Sequence, residues 1–520
     1  VRRAVAPLLA VTVAMVLADS AVVTLALPDI LAHLDTTVGW VAWVLIAYNI
    51  VLGLAAVPAA MLLRHPRARP QVLTGVGIAV FAAASAACAA AGTIEILLAA
   101  RCAQALGGAL ALVGCLVLLV AEQGERRGLS TWITAGVVGT ATGPVLGGLL
   151  TEAISWQAIF VVQVPFAVLA VPAALQVRHF THPRSPAPAD GREGDGEVIT
   201  DSLHHRPAIR ANLTQALLSA ALTAALFLLV LLLVQGWRHS PATAALTVSV
   251  VPIAALAAAP VARLFRTPHH VEVAVGCFLV AGGLAGLAVP PSSNLVWTVA
   301  PQALIGLGLG LTVDRLTTMA MEARLPQATH AGWTIAARHL GVVVGLAILT
   351  PIFTADLADA EDPAQEAITA LVLDAPLRPE TKIEVAQALG AELASQDGQV
   401  PDLSRAFDRL RVAPDEQAAT DRLERALTDQ LERAATRAFR DSFLVGAALA
   451  LLALVATLTH PRSPARKPAT TDVTHPRSPA RKPATADVTH PRSPAQRPAT
   501  ADGREGDGES PDSLDPERST

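Results

Sequence analysis

Residues 132–150 read W-I-T-A-G-V-V-G-T-A-T-G-P-V-L-G-G-L-L. The stretch has the length of a membrane span and carries no charged side chain. Gly139, Gly143 and Gly147 recur every four residues, so they line one face of a helix. A face without side chains lets a neighbouring helix approach backbone to backbone. Pro144 sits within that face and removes a helix hydrogen bond, which predicts a bend. Many membrane helices have a small-residue face for packing alone, so the meaning of this one depends on the chain around it.

The 520-residue chain is 52% hydrophobic and only 16% charged, against about 25% charged in soluble domains. Apolar runs of about 20 residues recur along it, which predicts an all-α polytopic membrane protein. Twelve spans are expected, the first six near 5–27, 39–63, 72–92, 95–120, 130–150 and 157–177, at about 20 residues each. The second six are expected near 211–234, 243–264, 271–290, 295–320, 330–354 and 439–458, again about 20 residues each. A polar, Pro- and Gly-rich linker at 178–210 divides the chain into two six-helix bundles, 1–177 and 211–458. The first apolar run lacks a small-residue cleavage site and leads straight into another span, so it reads as a span rather than a cleavable signal. The net charge of −4 is small and says little about partners; a lipid bilayer is expected, and no nucleic acid. Cys88, Cys102, Cys115 and Cys277 lie within apolar runs without metal-ligand spacing and read as packing residues; no metal is expected.

Basic residues set the orientation. Arg64, Arg67 and Arg69 follow span two, Arg126 and Arg127 follow span four, Arg263 and Arg266 follow span eight, and Arg324 follows span ten. The alternate short loops carry Asp29, Asp35, Glu95 and Glu152, with Arg238 the only basic residue apart from histidines. Both termini are therefore expected in the cytoplasm. All seven tryptophans fall near expected span ends, as an interfacial belt would place them: Trp40, Trp43, Trp156, Trp237 and Trp297 outside, Trp132 and Trp333 inside.

Three segments lie outside the bilayer. The 355–438 loop is expected on the outer face as short helices, with Asp362-Pro363 and Gln365 resembling a helix start. Asp421/Arg425 and Asp429/Arg433 are i, i+4 pairs beside an apolar stripe of Leu423, Leu427 and Leu431. The linker and the 459–520 tail share a repeat: T-H-P-R-S-P-A occurs at 181–187, 459–465, 474–480 and 489–495, and A-D-G-R-E-G-D-G-E at 189–197 and 501–509. This composition holds too little apolar surface to fold, so the tail is expected to be a disordered cytoplasmic extension. Its Ser-Pro sites leave regulation by phosphorylation open.

Charges at bilayer depth are costly and mark pairs or working groups. Asp19 in span one and Arg101 in span four lie at matching depths, about 10 Å below one surface at about 1.5 Å per residue. Gln104 and Gly108 share the Arg101 face. A proton-exchanging carboxylate tuned by an arginine and a permanent ion pair both fit. Asp314 in span ten and Arg338 in span eleven also match in depth, near the opposite surface, and are expected to form a structural or gating pair. His339 points about 100° from Arg338 and reads as an interfacial histidine. There is no H-E-x-x-H and no Walker loop, so neither metal-dependent nor ATP-hydrolysing enzyme chemistry is expected.

With the spans placed, the chain resembles the major facilitator superfamily, in particular the QacA/EmrB-like drug:proton antiporters. The family's D-x-T-x-x-N-x-A-L-P of span one resembles Asp19 to Pro28, with Ala21 and Thr24 replacing the family Thr and Asn. W-x-x-x-A-Y resembles Trp43 to Tyr48, and R-x-x-Q-G-x-G-x-A resembles Arg101 to Ala109. The antiporter motif G-x-x-x-G-P-x-x-G-G is matched at Gly139, Gly143, Pro144, Gly147 and Gly148, and W-x-x-I-F-x-x-x-x-P resembles Trp156 to Pro165. Gln235, Ser240-Pro241 and Arg338 to Gly341 are also similar to the family. Two departures stand out. The loop at 60–69 lacks the acid and both glycines of the family's G-x-L-a-D-r-x-G-r-k, and the chain has twelve spans where this subfamily commonly has fourteen.

The resemblance implies the major-facilitator fold and proton-driven export of small amphipathic compounds across a bacterial cytoplasmic membrane, by a monomer with no bound cofactor, its partners being a small-molecule substrate and protons. It implies Asp19, Arg101, Asp314 and Arg338 as proton-coupling or ion-pair residues, and Tyr48, Gln104 and Gln235 as candidates for the substrate path. An importer, an exporter of one metabolite, and a non-transporting sensor or scaffold are the alternatives.

Overall fold

The computed structural model describes residues 4–458, apart from 35, 37, 178–207, 266–267, 291, 322–323, 325, 395–402, 409 and 411. The repeats at 181–187 and 189–197 and the 459–520 tail lie outside the described residues. Twelve helices are long and apolar enough to cross a membrane. Spans one to six are Val5–Leu27, Gly39–Arg64, Pro70–Ala89, Ile94–Gln123, Glu125–Ala153 and Ala158–Leu175. Spans seven to twelve are Ile209–Gly236, Pro241–Ala258, His269–Leu287, Val296–Met321, Gln327–Asp356 and Gln417–Leu458. No strand occurs among the described residues.

Local sequence explains where several helices begin and end. The Thr93 hydroxyl accepts the Ile96 N–H at the start of span four. Ser240 does the same for Thr243, with Pro241 in the first turn of span eight. Gly124 alone separates spans four and five, at φ 84°, a conformation that a side chain would strain.

Bare glycines join the helices, and the same joints recur in both halves. A Cβ on Gly139 would lie 2.1 Å from the Ala14 carbonyl of span one, and one on Gly341 would lie 2.2 Å from the Ala216 carbonyl of span seven. Spans three and four cross at Gly77 and Gly107; spans nine and ten cross at Gly276 and Gly308. Spans 1·5 and 3·4 thus repeat as 7·11 and 9·10, which builds two six-helix bundles to one plan. Each has its own apolar core, with Leu9, Leu52 and Leu112 buried in the first and Leu228, Leu284 and Phe443 in the second.

Several expectations change. Span eleven ends at Asp356, near the expected 354, but its helix does not stop there. It continues as one helix, Gln327–Asp374, so Asp362 and Pro363 fall inside a helix rather than at its start. The extension carries Ile368 and Val372 into a separate small core with Val385, Leu389, Phe407 and Leu427, and that burial favours continuing the helix. This core joins the helices Pro379–Ala394, Leu403–Asp408 and Gln417–Ala438. Of the two i, i+4 pairs, Asp429 and Arg433 are bonded, whereas Arg425 donates to the Asp421 backbone carbonyl instead. Trp156 and Trp237 lie at span ends as expected, but not every indole faces outward. Trp40, Trp43, Trp297 and Trp333 are exposed, but Trp132, Trp156 and Trp237 are buried. Trp132 donates to the Leu112 carbonyl and Trp237 to the Thr436 hydroxyl, and these bonds let the indoles enter the core.

Candidate functional site

Span one carries adjacent residues to two different places. Asp19 faces a polar hub inside the first half and is fully buried. Its carboxylate is ion-paired with Arg101, which is also fully buried. Gln163 of span six donates to Asp19 at 3.0 Å, and Gln104 does so at 3.2 Å. Arg101 also donates to the Gln104 side-chain carbonyl at 2.6 Å and to the Val44 carbonyl at 3.4 Å. The guanidinium lies 4.0 Å above the Tyr48 ring, and the Tyr48 hydroxyl donates to the Val16 carbonyl. Ser85 accepts from Gln104 at 2.8 Å. A buried pair persists when hydrogen bonds satisfy its remaining lone pairs and protons, and the two glutamines do this for Asp19.

Ser20, the next residue, faces a cavity of about 110 Å³ between the halves. Ser20, Thr24, Asn49 and Thr140 form its polar wall from the first half; Ser219, Thr223, Arg338 and His339 form it from the second. The remainder is apolar, with Leu25, Leu45, Leu226, Phe227 and Leu346 among its residues. His339 Nδ1 and Asn49 Oδ1 are 2.7 Å apart, and Arg338 donates to the Thr140 hydroxyl at 2.7 Å. Span seven lines this cavity where its helix widens to π geometry, at Ala224–Leu228. Such segments are frequent at functional sites, and the Leu/Ala run there gives no sequence sign of one.

The halves touch on both sides of this cavity. On the side of the arginine-bearing loops, Arg64 donates to Thr329 at 2.9 Å and Gln327 to Glu125 at 2.6 Å. A Cβ on Gly332 there would lie 2.9 Å from the Ala56 carbonyl. Contact is thus made beside a loop that has lost the family's acid and glycines. On the opposite side, Glu152 accepts the Ala242 N–H at 2.6 Å, at the first turn of span eight. Burial and the nearby Glu152 charge push the Asp29 carboxyl above its ordinary pKa, while His33 pulls it the other way.

The Gly/Pro stretch divides its work. Gly139, Gly143 and Gly147 pack within the first half, on Ala14, on Ala18 with Ala21, and on Val22 of span one. Pro144 lines the cavity. Gly148 alone of these meets the other half: a Cβ there would lie 2.3 Å from the Ala245 Cβ and 2.9 Å from the Pro241 carbonyl.

The structure brings Asp19 and Arg101 together but not Asp314 and Arg338. The expected second pair is corrected by helix phase. Gly306 and Gly310 pack on Val251 and Ala255 of span eight, so Asp314, one step further on that face, is directed there and is exposed. Arg338 instead reaches Thr140 in the first half. The neighbouring Arg315 pairs with Glu272 at 2.5 Å. Tyr48 and Gln104 sit in the hub, and Gln235 is half-buried near the end of span seven; none of the three is on the cavity wall. His339 is a buried cavity residue rather than an interfacial one. Asn49 and Gln163 also belong to the site, and a lone amide within an apolar span is a readable signal of a partner. No cluster of three or more metal-binding side chains occurs among the described residues.

Two repeated helical bundles with a cavity between them and a buried ion pair beside it define a polytopic membrane protein built of two like halves. The Major Facilitator Superfamily pattern matches residues 9–346, and the chain belongs to that superfamily. It is 34% identical over 161 residues to the multidrug resistance protein Stp of Mycobacterium tuberculosis, which covers 30% of this chain and 30% of that protein. With the methylenomycin A resistance protein of Streptomyces coelicolor it shares 28% identity over 398 residues, 69% of this chain and 78% of that one. With the tetracenomycin C resistance and export protein of Streptomyces glaucescens it shares 35% over 171 residues, 32% of this chain and 31% of that one. A crystal structure of a bacterial homolog to the human lysosomal transporter Spinster, inward-facing and unoccupied, matches with a TM-score of 0.56. At 14% identity over 88% of this chain and 98% of that one, the likeness is one of fold.

Proposed function

We propose that this protein is a proton-coupled exporter of small amphipathic compounds. It works as a monomer by alternating access in a bacterial cytoplasmic membrane, with both termini in the cytoplasm. The proton gradient is its energy source and no cofactor is bound. The observation that carries this reading is the adjacency of Asp19 and Ser20: one faces a buried ion-pair hub and the next faces the cavity between the halves. Protonating Asp19 would remove half of the Arg101 pair, and span one would carry that change to the cavity wall. Relatives named for drug resistance and export support the outward direction.

The test is Asp19→Asn in proteoliposomes under an imposed pH gradient. The variant is expected to lose gradient-driven efflux by at least about tenfold, equivalent to about 1.4 kcal/mol, while still binding substrate. Undiminished gradient-driven efflux in the variant would remove Asp19 from the coupling role and leave the hub as a structural ion pair.

A further inference from the structure

The central cavity holds one charged side chain, Arg338, and no acid among the described residues that line it. A second, smaller cavity toward the arginine-loop side is lined by Arg338 as well, together with Trp132, Gln215 and Thr334, and it too has no acid among its described lining residues. The carboxylate nearest in sequence to the cavity wall, Asp19, is taken up by Arg101, Gln104 and Gln163. Among the described residues, no carboxylate forms an ion pair with Arg338. Its bond is to the neutral hydroxyl of Thr140, which itself donates to the Gly136 carbonyl. A guanidinium has five N–H donors and stays charged in proteins. A charge held away from water without a counter-charge is costly, and an anion in the cavity would remove that cost.

Asn49 donates its amide N–H to the Leu45 carbonyl, so its Oδ1 faces His339 Nδ1 as an acceptor. His339 therefore presents Nε2, which is buried without a partner. In the neutral ring that atom accepts a hydrogen bond. The cavity offers a cation on its wall, at Arg338, with Leu226, Phe227 and Leu346 around it.

We propose that the substrates of this transporter are amphipathic organic anions, with a carboxylate or similar acid group on Arg338 and an apolar body among the leucines and Phe227. The proposal rests on the export reading and narrows its substrate class. It runs against lipophilic cations, which would meet Arg338 with no acid to balance them.

The test is direct binding to the purified full chain of three probes on one scaffold: 1-naphthoate, 1-naphthamide and 1-naphthylmethylammonium. Naphthoate is expected to bind at least tenfold tighter than the amide, and the ammonium not measurably. Arg338→Gln is expected to bring naphthoate within about twofold of the amide, and Arg338→Lys to keep part of the preference. Size-exclusion profiles establish that each variant is folded. Equal or tighter binding of the ammonium, a carboxylate preference that survives Arg338→Gln in folded protein, or no binding of any probe would overturn the assignment. Proteoliposomes loaded with carboxyfluorescein or rhodamine 123 separate the two readings. Carboxylate binding with neither dye moved under any gradient would sink export and leave the class standing. Rhodamine 123 moved without a carboxylate preference would sink the class and leave export standing.

Discussion

Gly148→Ala tests whether the Gly/Pro stretch closes the halves against each other. The added Cβ would lie 2.3 Å from the Ala245 Cβ and 2.9 Å from the Pro241 carbonyl. Carbon atoms rest at about 3.5–4.0 Å, so spans five and eight must part by roughly 1 Å at this joint. Overpacking of that order costs about 1–3 kcal/mol. The substitution also returns about 1 kcal/mol of helix propensity. That gain is the same whether the halves are together or apart, so it does not offset the strain. The state closed on this side should become about 5- to 150-fold rarer relative to the state open there. Efflux of whichever dye the protein moves from proteoliposomes is expected to fall by a factor in that range. Thermal unfolding should change little, because opening relieves the strain without unfolding either half. Ala245→Gly removes the nearest atom, so the double variant should regain part of the lost rate. The Pro241 carbonyl at 2.9 Å and Leu25 at 3.1 Å set the ceiling on that recovery. Normal transport by Gly148→Ala, or a double variant as slow as the single one, would refute the argument.

Two further outcomes follow from the charges. Arg101→Met leaves the Asp19 carboxylate buried with only two amide donors, and should destabilise the protein by about 3–5 kcal/mol; adding Asp19→Asn should recover much of this in denaturant or thermal unfolding of purified protein, and no recovery would mean the pair is not the unit. Asp29 has a carboxyl pKa raised by burial and by Glu152, so the folded state binds its proton more tightly than the unfolded chain. Its favourable contribution is full below the unfolded value of about 3.9 and is lost as pH rises through the folded value. Asp29→Asn should therefore be more stable than the parent at neutral pH, with the two melting curves converging near pH 4 (about the unfolded value); a difference independent of pH would contradict this.

The spans and the two-bundle plan were readable because bilayer thickness sets the length of each apolar run. Asp19 and Arg101 were readable for a related reason: depth follows from residue count, and a buried charge needs a partner. Depth alone failed for Asp314 and Arg338. There the rotation of span ten decides, and that rotation is set by Gly306 and Gly310 seating on span eight. The same limit hid the cavity role of His339, which depends on where Asn49 of the other half comes to lie. Three of the tryptophans are buried because a carbonyl, a hydroxyl or an aromatic neighbour meets them: Leu112 for Trp132, Thr436 for Trp237, and the Phe160 ring, perpendicular to it, for Trp156. Composition cannot foresee the first two partners, because each lies on a different helix from its tryptophan, whereas Phe160 is only four residues from Trp156.

The glycine face of residues 132–150 gains a different meaning from its contacts. It clamps span five onto span one at Ala14, Ala18 and Val22, on both sides of Asp19 along the helix. With almost no side chain between the two backbones, close packing leaves them little slack to slide. Span five then carries Gly148 against the other half, while span one carries Asp19 into the hub and Ser20 to the cavity. A change of charge at Asp19 therefore acts on a two-helix unit that also holds part of the cavity wall and one joint between the halves. That arrangement requires Gly139→Ala and Gly148→Ala to differ in kind. The first wedges a Cβ 2.1 Å from the Ala14 carbonyl inside the unit, where no opening of the halves relieves it, so it should lower the unfolding temperature. The second should slow transport in protein that unfolds normally.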